Sequence, residues 1–460
     1  MLTLSRRDIL TGGAATLAAV AVGGYAGARA QAADLLLPVT ETAHALRPDV
    51  VTGGMMTFGD RGPPPVLRLR QGQPYVVDVV NRLREATVVH WHGLRLANAM
   101  DGVPYLTQAP IEPGQRFRYT LTSPDAGTFW YHPHCNTLEQ MARGLTGLLI
   151  VDEAEDPGFD VDLPLNIRDF RLGADGQFVE FYRLRNAARG GTLGTQSTVN
   201  WQTEPLHDLP AGGLVRLRLV MTDMTRVGTY DLEGGESRVI ALDSHPLADP
   251  LPAAGLMLAP GQRADVALRI PDTEGQEVTL TLRTDRGPRL MARFRATGRS
   301  LGRALAELAP LPANPVAGPD LSRAETLDFV FGWSPEGDGA ASGICGSLGK
   351  SFWSINRVAW DGDTPGPMDP LATLRLGGSY ILRLRNETPN AHPIHLHGLS
   401  FRLLRSNRRA LPPLVTDTAL LLSQETMEVA LVADNPGNWA FHCHVIEHQK
   451  TGLTGYLRVA

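Results

Sequence analysis

The chain has 460 residues and a formal net charge of −5, with 43 Lys and Arg against 48 Asp and Glu spread along its length. This length is too great for one hydrophobic core, and with charges of both signs spread along the chain, nothing indicates a nucleic-acid-binding surface. Only three cysteines are present, too few for a disulfide scaffold. With 48 Gly and 34 Pro between short apolar runs, the composition favours an all-β protein with many turns.

Residues 1–30 have the pattern of an export signal. Ser5–Leu10 reads S-R-R-D-I-L, a twin-arginine pattern, and an apolar segment rich in Gly and Ala follows it. Ala28–Ala30 is an A-x-A-like cleavage site. The alternative is an N-terminal membrane anchor, for which the apolar segment is short. We therefore expect a periplasmic protein, exported by the twin-arginine route and without stable membrane insertion after cleavage.

The rest of the chain contains copies of one β unit. Glu112–Arg116 (E-P-G-Q-R) precedes a predicted strand and recurs as Ala259–Arg263 (A-P-G-Q-R) before another. Gly144–Val151 recurs as Gly452–Val459 near the C-terminus. Short strands at even spacing, separated by turns, predict β-sandwiches.

The repeats indicate three domains. We place them at residues 34–155, 160–300 and 325–460. The segment 304–319, rich in Ala and Pro, is the predicted linker into the third domain.

Ten of the 13 histidines lie in four short motifs. An isolated His-X-His is more often a pair of core or surface histidines than a metal site. Four such motifs in one chain predict metal binding. The motifs are His90-Trp91-His92-Gly93, His132-Pro133-His134, His392-Pro393-Ile394-His395-Leu396-His397-Gly398 and His442-Cys443-His444 with His448.

The last of these motifs has the chemistry of a copper site. If residues 438–445 form a strand, His442 and His444 share one face and Cys443 lies on the other, because side chains alternate along a strand. Two His and one Cys in trigonal array, with a weak or absent axial ligand, make a blue electron-transfer site. Cys443 and His448 could serve that site, while His442 and His444 reach a second metal centre behind the strand.

The four motifs resemble the signatures of the multicopper oxidase family, in the same order and at the same spacing. The resemblance covers essentially the whole chain after residue 30. It implies three cupredoxin-like Greek-key β-sandwich domains, with copper ligands from the first and third only. It also implies four copper ions, one for each electron that reduces dioxygen to two waters.

The resemblance assigns ligands by their position in the motifs. They are His392, Cys443 and His448 for type 1 copper, His90 and His395 for type 2 copper, and His92, His132, His134, His397, His442 and His444 for the type 3 pair. Leu453 occupies the family's axial position at type 1 copper. Because leucine cannot ligate, we expect a three-coordinate copper of raised potential.

Oxygen reduction at a buried centre consumes protons, so a carboxylate is expected near it. Asp101 matches the acidic residue that the family places near type 2 copper, and we predict that it relays protons. It could equally be a turn residue before Gly102. Many bacterial members carry Glu directly after the last type 1 histidine. Gln449 stands there in this chain and cannot donate an acidic proton.

The expected function is that of a laccase, which oxidises phenols or aromatic amines one electron at a time and reduces O2. In this reading Cys443, His442 and His444 carry electrons, and Asp101 carries protons. A cuprous oxidase is the first alternative, although no methionine-rich insert precedes His392. A non-enzymatic envelope or division protein on the same fold is the second, and a two-domain nitrite reductase is disfavoured by the third domain.

Two points stay open at this stage. Cys135 and Cys345 could form a disulfide or could each be a small buried side chain. We expect the protein to act as a monomer on a small reducing substrate and O2, but no pattern in the sequence fixes the oligomeric state.

Overall fold

The computed structural model describes residues 32–333, 351–360, 364 and 368–460. The predicted signal segment, residues 1–30, therefore lies outside the described residues, and so does Cys345. Cys135 is buried and disulfide-bonded. None of the helices among the described residues has the length and apolarity that a membrane crossing needs.

The N-terminal part of the chain forms a sandwich of two four-stranded sheets, with strand orders β2-β1-β4-β6 and β3-β8-β7-β5. Alternating apolar side chains from both sheets form its core. The elements are β1 Leu35–Arg47, β2 Val50–Phe58, β3 Leu67–Arg70, β4 Tyr75–Asn81, β5 Val89–His92, a 3-10 helix Asn98–Met100, β6 Arg116–Leu121, β7 Gly127–Pro133, α1 Thr137–Ala142 and β8 Gly147–Asp152.

The central part forms a second sandwich around its own core, with sheets β10-β9-β12-β17-β14-β15 and β11-β19-β18-β13-β16. The elements are β9 Val161–Phe170, α2 Leu184–Ala187, β10 Gln196–Val199, β11 Leu206–Pro210, β12 Leu214–Met221, β13 Gly228–Glu233, β14 Glu236–Leu242, β15 His245–Pro252, β16 Leu256–Leu258, β17 Arg263–Arg269, β18 Glu277–Thr284, β19 Gly287–Thr297 and a 3-10 helix Leu305–Glu307.

The C-terminal part forms a third sandwich, with sheets β21-β20-β23-β28-β25-β26 and β22-β30-β29-β24-β27. The elements are β20 Glu325–Trp333, β21 Trp353–Ile355, β22 Ala372–Leu374, β23 Ser379–Asn386, β24 His392–Leu396, β25 Phe401–Ser406, β26 Val415–Thr416, β27 Thr418–Leu421, β28 Thr426–Val432, β29 Gly437–Cys443, α3 Ile446–Gln449 and β30 Thr454–Val459.

The three sandwiches pack into one compact unit. A small apolar cluster takes Trp130 from the first sandwich, Val220 from the second and Ile446 from the third. The all-β fold predicted from the sequence is therefore confirmed. The predicted domain bounds stay predictions. The short helix after His134 spans Thr137–Ala142.

Candidate metal centre

Two pairs of antiparallel strands place histidines at the interface of the first and third sandwiches. In β5 and β7, His90 lies directly opposite His132. In β24 and β29, His395 lies directly opposite His442. Because side chains alternate across a strand, each pair presents both rings on the same face of its sheet.

The eight residues predicted to bind type 2 copper and the type 3 pair, together a trinuclear site, form one buried cluster. The rings of His90 and His397 stack with centroids 3.7 Å apart, and those of His92 and His395 stack at 3.8 Å. Each stacked pair joins the first sandwich to the third. The members are His90, His92, His132, His134, His395, His397, His442 and His444, all at most 3% exposed.

Main-chain carbonyls fix the orientation of several rings. Nδ1 donates in four of them: His90 to Asp101 (2.8 Å), His132 to Pro133 (3.0 Å), His395 to Asp417 (2.9 Å) and His442 to Cys443 (2.9 Å). The Nε2 atoms of the first three rings are buried without a hydrogen-bond partner among the described residues. A histidine that donates through one nitrogen presents the lone pair of the other to a metal.

These unpaired nitrogens fit metal ions. A buried polar atom without a partner is costly, so a group of them converging on one place calls for a ligand. Burial lowers the pKa of seven of the rings, which keeps them in the neutral form that binds metals. The seven are His92, His132, His134, His395, His397, His442 and His444. The division of the cluster into type 2 and type 3 ligands stays a prediction.

Cys443 lies on the opposite face, as alternation along the strand predicts. Its Sγ is 3.5 Å from Nδ1 of His392 and 3.5 Å from Nδ1 of His448, and the two nitrogens are 3.1 Å apart. All three side chains are fully buried. The strand itself ends at Cys443 rather than at residue 445, and His448 comes from α3.

The triangle of Cys443, His392 and His448 has the chemistry of a copper site. Nε2 of His392 donates to Thr388 (2.9 Å) and Nε2 of His448 donates to the carbonyl of Arg189 (2.6 Å). Both Nδ1 lone pairs therefore face each other and the sulfur, an arrangement that a bound cation would stabilise. Burial raises the pKa of the Cys443 thiol, so its thiolate form also requires a cation.

Leu453 is fully buried close to this triangle. Its carbonyl accepts from the main-chain N–H of Cys443 (3.0 Å), and its own N–H donates to the carbonyl of His448 (3.0 Å). The segment 448–453 thus folds back onto the end of β29. Leucine brings no donor atom to the site, as the sequence predicts.

The two predicted proton-handling positions both contact the cluster. Asp101 is 1% exposed, and its Oδ2 accepts from Nδ1 of His397 (2.9 Å). Gln449 is 4% exposed, and its amide nitrogen lies 3.1 Å from Nε2 of His134. Of these two residues only Asp101 has a carboxyl group, so only Asp101 could act as an acid.

Sequence analysis missed Asp417. Its carboxylate is 2% exposed and lies 3.4 Å from Nε2 of His92 and 3.4 Å from Nδ1 of His395. No motif identifies it, because it lies between two threonines in a short strand region. The one available signal was a carboxylate in the segment 411–422, whose other residues are apolar except for the two threonines, since a buried charge needs a partner.

Sequence analysis also missed the segment that covers His448. We call residues 187–192 the strap. In addition to the Arg189 carbonyl, the Ala187 carbonyl accepts from Nε1 of Trp353 (2.8 Å) and the Thr192 N–H donates to Glu447 (2.8 Å). The central sandwich thus covers the Nε2 edge of His448.

Comparisons with known proteins agree with this geometry. Sequence profiles described as multicopper oxidase match residues 40–156 and 346–460. The chain is 29% identical to multicopper oxidase MmcO of Mycobacterium tuberculosis over 86% of this chain and 82% of that protein. It is 27% identical to laccase-5 of Trametes villosa over 90% of this chain and 88% of that protein.

Solved structures are similar over nearly the whole chain. The multicopper oxidase of Pseudomonas thermotolerans has a TM-score of 0.83 and 42% identity, covering 93% of this chain and all (100%) of that one. Lac15 from a marine microbial metagenome has a TM-score of 0.75 and 34% identity, covering 93% of this chain and 100% of that one.

Proposed function

The chain belongs to the multicopper oxidase family, and from that premise we propose that it is a laccase-type enzyme that oxidises phenols or aromatic amines. As a member it is a copper-dependent oxidoreductase that uses O2. The observation that carries the proposal is the complete donor set. The buried triangle of two Nδ1 atoms and one Sγ lies one residue from the cluster of eight histidines.

The stretch His442-Cys443-His444 connects the two centres. Cys443 belongs to the triangle, while the rings on either side of it belong to the cluster, with centroids 5.7 Å apart. Bound copper would supply single-electron storage at the triangle and oxygen reduction at the cluster. The chain's own contribution is a short covalent path between them and a site from which bulk water is excluded.

Asp101 is the proposed source of protons. Its carboxylate accepts from His397, and its main-chain carbonyl accepts from His90, so one residue both orients two ligands and places an ionisable group beside the cluster. The amide of Gln449 cannot share this task. Of positions 101 and 449, only Asp101 can therefore supply an acidic proton, and we expect oxygen reduction to depend on it.

A cuprous oxidase is the second candidate. It is favoured by the strap, because His448 is fully buried and its Nε2 faces a main-chain carbonyl rather than an open pocket. A small donor is less hindered by such a cover than a substituted phenol. The non-enzymatic alternative has no comparable support, since every predicted copper ligand is present.

We also propose that the protein works in the periplasm with four copper ions, as a monomer acting on small reducing substrates. The twin-arginine pattern of Ser5–Leu10 supports export of a folded protein. Five groups of ligand atoms converge among the described residues, and the four that consist of His and Cys alone support the number of ions.

Oxygen uptake by the copper-loaded protein tests the function. A methoxyphenol and Cu(I) are supplied in parallel, with Cys443→Ser as the control that removes the thiolate. Uptake with the phenol that disappears in Cys443→Ser supports the laccase proposal. Uptake mainly with Cu(I) moves the protein to metal-ion oxidation, and no uptake with either donor, in protein that holds its copper, refutes both.

A further inference from the structure

The central sandwich supplies no predicted copper ligand, yet one of its turns lies against the histidine cluster. We call residues 259–263, which run from the end of β16 to the first residue of β17, the central turn. Gly261 has φ +89°, and a Cβ there would lie 3.0 Å from Cγ of His444 and 3.1 Å from Cε1 of His92. The backbone of the central turn therefore packs directly on two predicted ligands, with no space for a side chain.

The next two residues of the central turn reach the third sandwich. Nε2 of Gln262 donates to the carbonyl of Thr418 (3.0 Å). Nη1 and Nη2 of Arg263 donate to the two carboxylate oxygens of Asp417, at 2.8 and 2.7 Å. Arg263 is fully buried, so this is a bidentate charged pair without solvent screening.

Asp417, held by Arg263, in turn contacts the rings of His92 and His395. Its Oδ1 lies 3.4 Å from both Nε2 of His92 and Nδ1 of His395, and its main-chain carbonyl accepts from His395 at 2.9 Å. A carboxylate behind an imidazole fixes the tautomer and orientation of the ring. A chain of contacts thus runs from the second sandwich to ligands of the first and third.

We propose that Arg263 is a positioning residue for the trinuclear site, holding Asp417 so that His92 and His395 are correctly oriented for copper. Assembly of the site then depends on docking of the central sandwich. This inference rests on the proposed copper-binding function of the cluster and adds a role for a domain that supplies no ligand.

The internal repeat provides a comparison within the same molecule. Arg116 holds the same position in E-P-G-Q-R that Arg263 holds in A-P-G-Q-R. In both turns the Gln side chain accepts from the first main-chain N–H, at 3.2 Å in the first sandwich and 3.0 Å in the central one. The shared motif is therefore explained by the turn itself.

The environment of the arginine differs between the two copies. The side chain of Arg116 is 59% exposed and reaches Asp78 only at 3.4 Å. Arg263 is 0% exposed and pairs with Asp417 beside the cluster. Full burial of a guanidinium is costly unless its partners compensate, so turn formation alone does not account for Arg263.

Asp243 adds a second carboxylate to this arginine. Its Oδ1 accepts from the main-chain N–H of Arg263 (2.8 Å) and lies 3.3 Å from Nη1. Loss of the guanidinium would leave two buried carboxylates near each other without a cation. Asp417 could then no longer keep its position between His92 and His395.

The test compares Arg263→Gln with Arg116→Gln, the same substitution at the exposed copy of the motif. Each copper-loaded protein is analysed for copper content, type 1 absorption, the type 2 electron paramagnetic resonance signal and the rate at which a chelator removes copper. We expect Arg263→Gln to keep its type 1 absorption but to lose type 2 copper about tenfold faster than wild type. Arg116→Gln should match wild type.

Arg263→Lys keeps the positive charge but not the bidentate geometry, and it provides the second variant if Arg263→Gln does not fold. We expect it to lose type 2 copper at an intermediate rate. The inference is overturned if Arg263→Gln loses copper at the wild-type rate and has the wild-type type 2 signal. The same result for Arg263→Lys overturns it if Arg263→Gln does not fold. If wild type itself binds no copper at the cluster, the proposed function fails together with this inference.

Discussion

Oδ2 of Asp101 accepts a hydrogen bond from Nδ1 of His397 at 2.9 Å, and the two side chains come from different sandwiches. Asp101 is 1% exposed and His397 is fully buried. A carboxyl at this point touches a predicted ligand of the oxygen-reducing cluster. The contact therefore links the packing of the two domains to the supply of protons.

Asp101→Asn preserves the shape of this contact but removes the acid. We expect turnover to fall by about a hundredfold, the range in which proton transfer by a positioned side chain contributes. Anaerobic reduction of type 1 copper by the donor should keep its wild-type rate, because no proton is needed there from Asp101. Stopped-flow absorption measures this step and oxygen uptake measures turnover. Unchanged turnover in copper-replete Asp101→Asn would refute the relay.

Leu453→Met places a thioether at the axial position of type 1 copper. A weak axial donor stabilises the oxidised ion, so we expect the type 1 potential to fall. Redox titration of the blue absorption measures the change. The same substitution at Leu457, which is also fully buried in this sandwich, is the matched control. A potential that does not differ between Leu453→Met and wild type would contradict the axial assignment.

Gly191→Ala should displace the strap. Gly191 has φ +87°, and a Cβ there would lie 2.6 Å from Cγ2 of Thr225 and 3.2 Å from Cγ1 of Val445. If the strap restricts access to His448, kcat/KM for a bulky phenol should rise more than that for a small donor. Gly190→Ala is the control, because within 4 Å its Cβ would meet only Oδ1 of Asn390, at 3.8 Å. Equal effects of the two substitutions on both donors would exclude a gating role.

The burial of Asp243 predicts how the stability of the folded protein depends on pH. Burial, together with the nearby charge of Asp417, raises its pKa from 3.8 to about 7, although Arg263 opposes the shift. Between these two values the folded protein binds more protons than the unfolded chain. The stabilising contribution of protonated Asp243 is thus complete below about pH 4 and is lost as the pH rises to about 7.

Asp243→Asn removes this titration while keeping an oxygen that accepts from Arg263. Because Asn resembles the protonated acid, we expect a melting temperature close to that of wild type near pH 4, and one progressively higher than that of wild type up to about pH 7. The full difference is at most about 4 kcal/mol, from about three pKa units. Thermal melts of the copper-loaded proteins across this range measure it. A difference from wild type that is constant over the range would show that Asp243 does not titrate there.

Local pattern was sufficient for much of the metal centre. The alternation of side chains along a strand placed Cys443 opposite His442 from sequence alone, and the observed contacts agree. The all-β fold was predicted correctly from the turn-rich composition and short apolar runs, and the family and the oxidase activity from the resemblance of the four motifs. Within each motif the relevant residues are close together in the chain, where the geometry of a strand or turn is the same in any fold.

Tertiary structure alone decided the surroundings of those ligands. Arg263 and Arg116 share one local motif, yet one is buried beside the cluster and the other is exposed. Asp417 and the Arg189 carbonyl reach their histidines from other sandwiches or across a sheet, with no pattern that marks them. The sequence therefore determined which residues can bind copper. Only the packing of three domains determined which charges and main-chain atoms hold them, because burial and pairing depend on contacts between segments far apart in the chain.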